Sequence, residues 1–427
     1  PARPAVAATA PGENTFRIMI STDNHLGHVE RDIVRGNDSF RAFEEVLDIS
    51  ANQSQADILL LGGDLFHDNK PSRETMVKTI NMMRKHCCGS RECMVEPLDV
   101  TSLQGFDEGE DPVVNYQDPN INIALPVFII HGNHDDPSGP GQHSALDILS
   151  ASKLINYWGK QKNIEEITIR PILLQKGNVK IAIYGLGNIR DERLARSFRN
   201  KHVTWLTPPD IKSYFSILVV HQNRPIRDGK DAFPIDQIPS HINFVVWGHE
   251  HECITSAARE GAHSVHILQP GSTTITSLSH GESARKHSFC LDVKFVGNDY
   301  KFRCKELPLH NVRPFKYDEL MLEGQDCGLS EADVISFLQD RVQHMIEDAH
   351  RDYPDVPQDL AKPLIRIKVE NTGFHAPAPH KLGKEFGVGL KVDEWLMANP
   401  DDIIKFWKKN KARQMAPKAP NANDDDM

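Results

Sequence analysis

The chain repeats one hydropathy unit, a short run of aliphatic residues that stops abruptly in a polar, often glycine-containing loop. Residues 16–21 run into Asp23, 58–61 into Asp64, 127–130 into Asn133, 217–220 into His221 and 244–247 into His249. Runs this short and this uniformly apolar read as buried strands. Between them, residues 38–51, 72–85 and 144–152 carry apolar side chains three and four apart, the spacing of one helix face. Met76, Ile80 and Met83 form one stripe and Ala145, Ile148 and Leu149 another, and simple core packing accounts for both. Strands alternating with amphipathic helices predict a layered α/β fold, in which ligands collect where the strand C-termini release their loops.

After Leu307 the pattern changes. Val334, Leu338, Val342, Met345 and Ala349 share a helix face and residues 364–369 alternate as a strand, so 308–411 reads as a smaller α/β unit ending in a short basic helix over 400–411. The larger domain, 15–307, holds an insertion at 87–124 rich in turn residues and acids (Asp107, Glu108, Glu110, Asp111), expected to be a long surface loop. Residues 1–14, rich in Ala and Pro, and the acidic 412–427 lack the apolar content to bury anything and are expected to be disordered.

Composition narrows the function classes. With 39% hydrophobic and 25% charged residues the chain is an ordinary globular sequence, and no apolar run is long enough to cross a bilayer. No basic start precedes an apolar block, so the N-terminus does not read as a secretory signal. Seven cysteines without a C-x-x-C pair argue for a reducing compartment and against a thiolate zinc site. A net charge of −10 argues against a uniformly basic, nucleic-acid-coating surface but leaves room for a local electropositive groove.

The chemistry sits in the loops. In Asp23-Asn24-His25 the one-residue gap can place a carboxylate and an imidazole on one side of an extended segment. Gly62-Gly63-Asp64 lets the backbone turn sharply and bring inward a carboxylate whose two oxygens can bridge two metals. Gly132-Asn133-His134-Asp135 offers an amide oxygen beside a titratable imidazole, His221 follows its apolar run, and Gly248-His249-Glu250-His251 repeats the same-side logic with two imidazoles. One such histidine would be an ordinary polar or core residue; five ordered motifs at one sheet edge point to a metal cage. Its N and O donors suit manganese, iron, nickel or zinc better than magnesium, and manganese is the expected ion. Two divalent ions (about +4) against Asp23 and Asp64 leave about +2, which a hydroxide and one phosphodiester would neutralise. Metals roughly 3.5 to 4 Å apart can share an activated water and clamp the phosphoryl oxygens, with no covalent nucleophile.

The order D-x-H, G-G-D, G-N-H-D, H-Q, G-H-x-H resembles the calcineurin-like metallophosphoesterase superfamily. Ser21-Thr22-Asp23-Asn24-His25-Leu26-Gly27, Asp64-Leu65-Phe66-His67, His131-Gly132-Asn133-His134-Asp135-Asp136-Pro137 and Trp247-Gly248-His249-Glu250-His251-Glu252 are similar to the meiotic recombination eleven family of DNA double-strand-break repair nucleases. That resemblance implies a four-layer sandwich of two β-sheets flanked by helices, with a smaller α/β capping domain. It implies two Mn2+ ions, one held by Asp23, His25, Asp64 and His251 and the other by Asp64, Asn133, His221 and His249, so that Asp64 bridges. It gives His134 the transition-state or leaving-group role and His67 the placing of the DNA end, while Asp68, His131, Asp135, Asp136 and Glu250 read as turn or supporting groups. Single-strand endonuclease and 3'-5' double-strand exonuclease activity on DNA ends and hairpins, a homodimer formed through helices of the large domain, a coiled-coil SMC-like ATPase, a third regulatory subunit docking near 87–124, and the nucleus follow from the same resemblance. Residues 387–398 depart from the family's pattern and no long basic C-terminal region follows, so the chain is expected to be a truncated catalytic core. Two other readings stay open at this stage: a phosphatase or small-molecule phosphodiesterase of the same superfamily, and a DNA-end-binding scaffold.

Overall fold

The computed structural model describes residues 11–103, 112–138, 141–161, 163–225, 232–370 and 373–374. The apolar runs form strands covered on both sides, and their side chains alternate between two cores. Phe16, Ile18, Ile20, Ile58 and Leu60 enter one core, whereas Met19, Leu59 and Leu61 enter the other.

A six-stranded sheet runs in the order Asp299–Pro308, His287–Val296, Phe16–Ser21, Ile58–Leu61, Val127–Ile129, Asn156–Tyr157, and the last four strands are parallel. A seven-stranded sheet runs Ile254–Glu260, Val265–Gln269, Ile242–Gly248, Phe215–His221, Val179–Leu186, Pro171–Lys176, Glu96–Asp99, and the second to fifth of these are parallel. The sheets stack face to face: Phe16, Ile20 and Phe128 of the first share a core with Ile183, Val219 and Val246 of the second. Helices Asp38–Asp48, Arg73–Cys87 and Ala145–Ala151 cover the outer face of the first sheet through Phe43, Met83 and Leu149. Helix Asp191–Arg199 covers the second through Leu194 and Phe198. The layers are therefore helix, sheet, sheet, helix, the sandwich that the sequence led us to expect. Parallel neighbours bring Asp23, Asp64 and Asn133 to one edge of the first sheet and His221 and His249 to one edge of the second.

Three details differ from the sequence reading. Ile148 is 54% exposed; Leu146 completes the inner face with Ala145 and Leu149, which turns Ile148 about 100° away from that face. The 87–124 insertion is not wholly a surface loop. Glu96–Asp99 extends the seven-stranded sheet antiparallel to Pro171–Lys176, and Val95, Val100, Leu103 and Val114 are buried between the sheets. These apolar residues are too widely spaced to show a period; residues 104–111, with the four acids, lie outside the described residues. In the lead-in, Asn14 accepts a hydrogen bond from the Asn178 N–H (3.2 Å), while residues 1–10 lie outside the described ones.

The chain divides into two compact units, 1–315 with 355–360, and 316–354 with 361–427. The first runs past Leu307 because Leu309 and Val312 join its helix-side core and Arg313 makes a two-point pair with buried Asp38 (2.7 and 3.0 Å). In the second, helix Glu331–Asp352 starts at a Ser330–Asp333 capping box and buries Val334, Leu338, Val342, Met345 and Ala349. Strand Leu364–Glu370 pairs with Phe315–Met321. The expected basic helix at 400–411, residues 387–398 and the acidic tail lie outside the described residues. Among the described residues, no helix is long and apolar enough to cross a membrane.

Arg313→Met takes both hydrogen bonds from the buried Asp38 carboxylate and leaves it Arg35 Nε at 3.9 Å. Urea unfolding should show a loss of about 3 kcal/mol; a change within ±0.5 kcal/mol would mean that the pair holds nothing together.

Candidate metal centre

Beyond the strand ends the two leading loops go on pairing. The Asp23 N–H donates to the Gly63 carbonyl (3.1 Å), His25 N–H to that of Asp64 (3.0 Å) and Leu26 N–H to that of Leu65 (2.8 Å). The turns need left-handed backbone at Asp23, His25, Asp64 and His249, with φ of 51°, 47°, 50° and 82°. For residues other than glycine that conformation costs of order 1 kcal/mol each. Gly132 lies so close to Asp64 that a Cβ there would meet Oδ1 at 2.0 Å. Asp135 clamps the two loops: Oδ2 accepts from the N–H groups of Leu65 (2.8 Å) and Phe66 (3.3 Å), and Oδ1 from Gly132 (2.7 Å).

The carboxylates at the centre are each half satisfied. Asp23 Oδ2 accepts from the Thr22 hydroxyl (2.6 Å) and the His249 N–H (3.0 Å), and Asp64 Oδ1 accepts from the His134 N–H (2.9 Å). Asp23 Oδ1 and Asp64 Oδ2 have no hydrogen-bond partner, although the two residues are 0% and 1% exposed. Imidazoles face these oxygens. His25 Nε2 lies 3.9 Å from each of them, His221 Nε2 lies 3.3 Å from the Asp64 oxygen and 3.9 Å from that of Asp23, and His251 Nε2 lies 3.9 Å from that of Asp23. Asn133 Oδ1 sits 2.8 Å from His249 Nδ1 and 3.3 Å from His221 Nε2.

All seven ligand candidates thus converge. Asp23, His25 and His251 form one set and Asp64, His221 and His249 another, the donor atoms within each lying inside 4.8 Å of one another. Two buried carboxylate oxygens without donors, ringed by imidazole nitrogens, fit divalent cations, because such oxygens are costly to bury unless a positive charge meets them. The field is legible in His221, where burial opposes protonation but Asp64 and Asp23 carry the pKa up to about 10. Burial likewise pushes the Asp64 carboxyl up, but His221 and His25 hold it well below the usual range.

The rings are aimed from behind. His221 Nδ1–H donates to the Gly62 carbonyl (2.8 Å), which leaves Nε2 for the centre. His251 Nδ1 lies 3.0 Å from Glu282 Oε1 and 2.8 Å from the Thr276 hydroxyl. Glu282 is fully buried and also accepts from the N–H groups of Thr276 (2.9 Å) and Ser277 (2.8 Å). Burial alone would raise its pKa, but the hydrogen bond to His251 and the charge of Lys286 hold it well below the carboxylate range. The sequence reading missed Glu282; its one local signal, Ser279-x-x-Glu282, is a helix-start pattern with no metal-ligand look.

His134 stands apart from the free oxygens. Its Nδ1–H donates to the His67 carbonyl (2.6 Å), and its ring stacks on that of His67 at 4.9 Å between centroids. His67 Nδ1 lies 3.4 Å from His25 Nδ1. His131, bonded to the Tyr157 hydroxyl (2.8 Å), and Glu250, which accepts the Arg224 N–H (2.6 Å), support the neighbouring loops.

Comparison with known proteins gives the chain a family. The family model for calcineurin-like phosphoesterases matches residues 16–253, and that for the Mre11 DNA-binding presumed domain matches 302–427. The chain belongs to the calcineurin-like phosphoesterases, within the Mre11 family. Among its relatives, the double-strand break repair protein MRE11 of Arabidopsis thaliana is 43% identical over 413 residues, 93% of this chain and 55% of that protein. MRE11 of Homo sapiens is 41% identical over 410 residues (94% and 56%), and the double-strand break repair protein mus-23 of Neurospora crassa is 39% identical over 433 (96% and 57%). The chain spans a little over half the length of these Mre11-family relatives.

Glu282→Gln keeps the shape but removes the charge behind His251. Isothermal titration should show manganese affinity falling by roughly 10- to 100-fold with the circular dichroism unchanged; an unaltered affinity would reduce Glu282 to a loop anchor.

Proposed function

We propose that this Mre11-family chain is a manganese-dependent DNA nuclease that hydrolyses phosphodiester bonds at two metals during double-strand-break repair. The observation that carries the reading is the pair of partnerless buried oxygens on Asp23 and Asp64, facing imidazoles from both sheets. Asp23, His25, Asp64 and His251 would hold one Mn2+ and Asp64, Asn133, His221 and His249 the other, with Asp64 shared. Such a pair, when bound, supplies Lewis-acid charge and a water of lowered pKa.

The remaining work falls to the chain. The bond from His134 Nδ1–H to the His67 carbonyl holds that proton in place and leaves Nε2 as the nitrogen that takes up a proton from solvent and passes it to the leaving oxygen. His67, with its ring flat against that of His134, lines the approach and places the DNA end. Single-strand endonuclease and, by resemblance to the family, 3'-5' double-strand exonuclease activity on ends and hairpins are the activities we infer for it. The match of 302–427 to a DNA-binding presumed domain supports nucleic acid over a small ester, and the break-repair role named for the plant and human relatives supports a nuclear location.

Val77 and Ile148, apolar yet 57% and 54% exposed on helices Arg73–Cys87 and Ala145–Ala151, support a homodimer through those helices. A coiled-coil SMC-like ATPase, and a third subunit docking near 87–124, complete the assembly we infer from the relatives' role in break repair.

The test is cleavage of end-labelled hairpin and duplex DNA with manganese and with magnesium. Wild type should cut with manganese, and His134→Asn should lose roughly 10²- to 10⁴-fold in rate while still binding metal. Undiminished cleavage by His134→Asn, or a wild type that hydrolyses mononucleotide esters but no DNA, would overturn the reading.

A further inference from the structure

We propose that His28 is a positioning residue for His67, accepting a hydrogen bond at Nδ1 that fixes the tautomer and orientation of the ring on which His134 is stacked. The inference rests on the role just proposed for His67 and His134 and deepens it.

His28 lies outside the metal motifs. Gly27, at φ 87°, turns the chain back so that the His28 N–H reaches the His25 carbonyl (3.0 Å) and the His28 ring returns to the site. There it meets His67 edge to face, with centroids 4.5 Å apart and Nδ1 3.4 Å from His67 Nε2. The residue is 9% exposed, and its Nε2 has no hydrogen-bond partner among the described residues.

Proton accounting along the three rings gives it a use. His25 turns Nε2 toward the free oxygens of Asp23 and Asp64, 3.9 Å from each. A neutral imidazole that offers Nε2 to a cation carries its proton on Nδ1. The neighbour of that proton, 3.4 Å away, is His67 Nδ1, which must therefore accept. Neutral His67 then carries its own proton on Nε2, and the acceptor facing it is His28 Nδ1. The His28 ring is buried and turns Nδ1 to that proton, so its lone pair stands where the His67 Nε2–H can donate.

Both nitrogens of His67 are thus engaged inside the array, and its contribution to the site is a fixed ring face and a fixed carbonyl. His134 uses both, stacking on the face and donating Nδ1–H to the carbonyl. His28 acts on the reaction through His67 and touches no reacting atom. Without an acceptor at His28, the His67 Nε2–H is left unpaired and the ring can flip or change tautomer.

Long-range proton–nitrogen NMR of the full chain, labelled with 15N histidine and loaded with diamagnetic Zn2+, reads the tautomers directly. Wild type should show a single Nε2–H tautomer at both His67 and His28. His28→Phe keeps the ring volume without an acceptor and should give mixed tautomers at His67, with kcat on DNA roughly tenfold lower and KM unchanged. His28→Asn, whose amide oxygen stands near the Nδ1 position, should restore both. An Nδ1–H tautomer at His67 in the wild type, a pure Nε2–H tautomer in His28→Phe, or Asn behaving as Phe does would each overturn the proposal. The spectra do not depend on turnover, so a wild type inactive on DNA would count against the nuclease reading and leave this one standing on its own result.

Discussion

The arrangement depends on two carboxylates buried a few ångströms apart with one oxygen of each left bare. Asp23 and Asp64 repel one another, and water cannot reach them to soften the repulsion. Such a pair is tolerable only where positive charge is supplied, and the chain surrounds it with imidazoles that can serve either as ligands or, protonated, as the cation itself. His221 shows the second possibility in its raised pKa. The bare oxygens explain why the site is made for metal; hydrogen bonds to the other two oxygens explain why the carboxylates cannot turn away from it.

The backbone serves that constraint. Bringing a carboxylate inward from the end of a parallel strand takes a turn tighter than ordinary residues prefer, and the strain appears where the ligands are, in the left-handed Asp23, His25, Asp64 and His249. Strain of this kind persists only if neighbours over-determine it. Asp135 does so by tying the loop that follows Asp64 to the Gly132 turn, and Glu282 with Lys286 holds His251, two residues past the strained His249, from the far side. The sandwich supplies rigidity: strands covered on both faces cannot shift without opening two cores at once.

Much of this was legible in the sequence because the same residues carry two signals. A strand buried on both faces reads as an unbroken apolar run, so its end, and the polar group just beyond, stand out; that is how Asp23, Asp64, Asn133, His221 and His249 could be singled out before any coordinates. Groups that act from behind carry no such mark. Glu282 and His28 reach the centre through loops whose course depends on tertiary packing, and neither spacing nor residue type sets them apart from surface residues. The edge strand Glu96–Asp99 was hidden for a related reason: a half-exposed strand with a proline and two acids has no apolar run to show. Ile148 failed oppositely, since a seven-residue helix has too few apolar positions to fix which of two neighbouring faces turns inward.

The central claim is that Asp64 is shared by two metals. Counting manganese bound per chain, by calorimetric titration with elemental analysis of the desalted protein, tests it most directly. The account predicts two ions for wild type, loss of both in Asp64→Ala, and retention of the ion held by Asn133, His221 and His249 in Asp23→Ala. Two ions still bound to Asp64→Ala, or one at most to wild type, would contradict it.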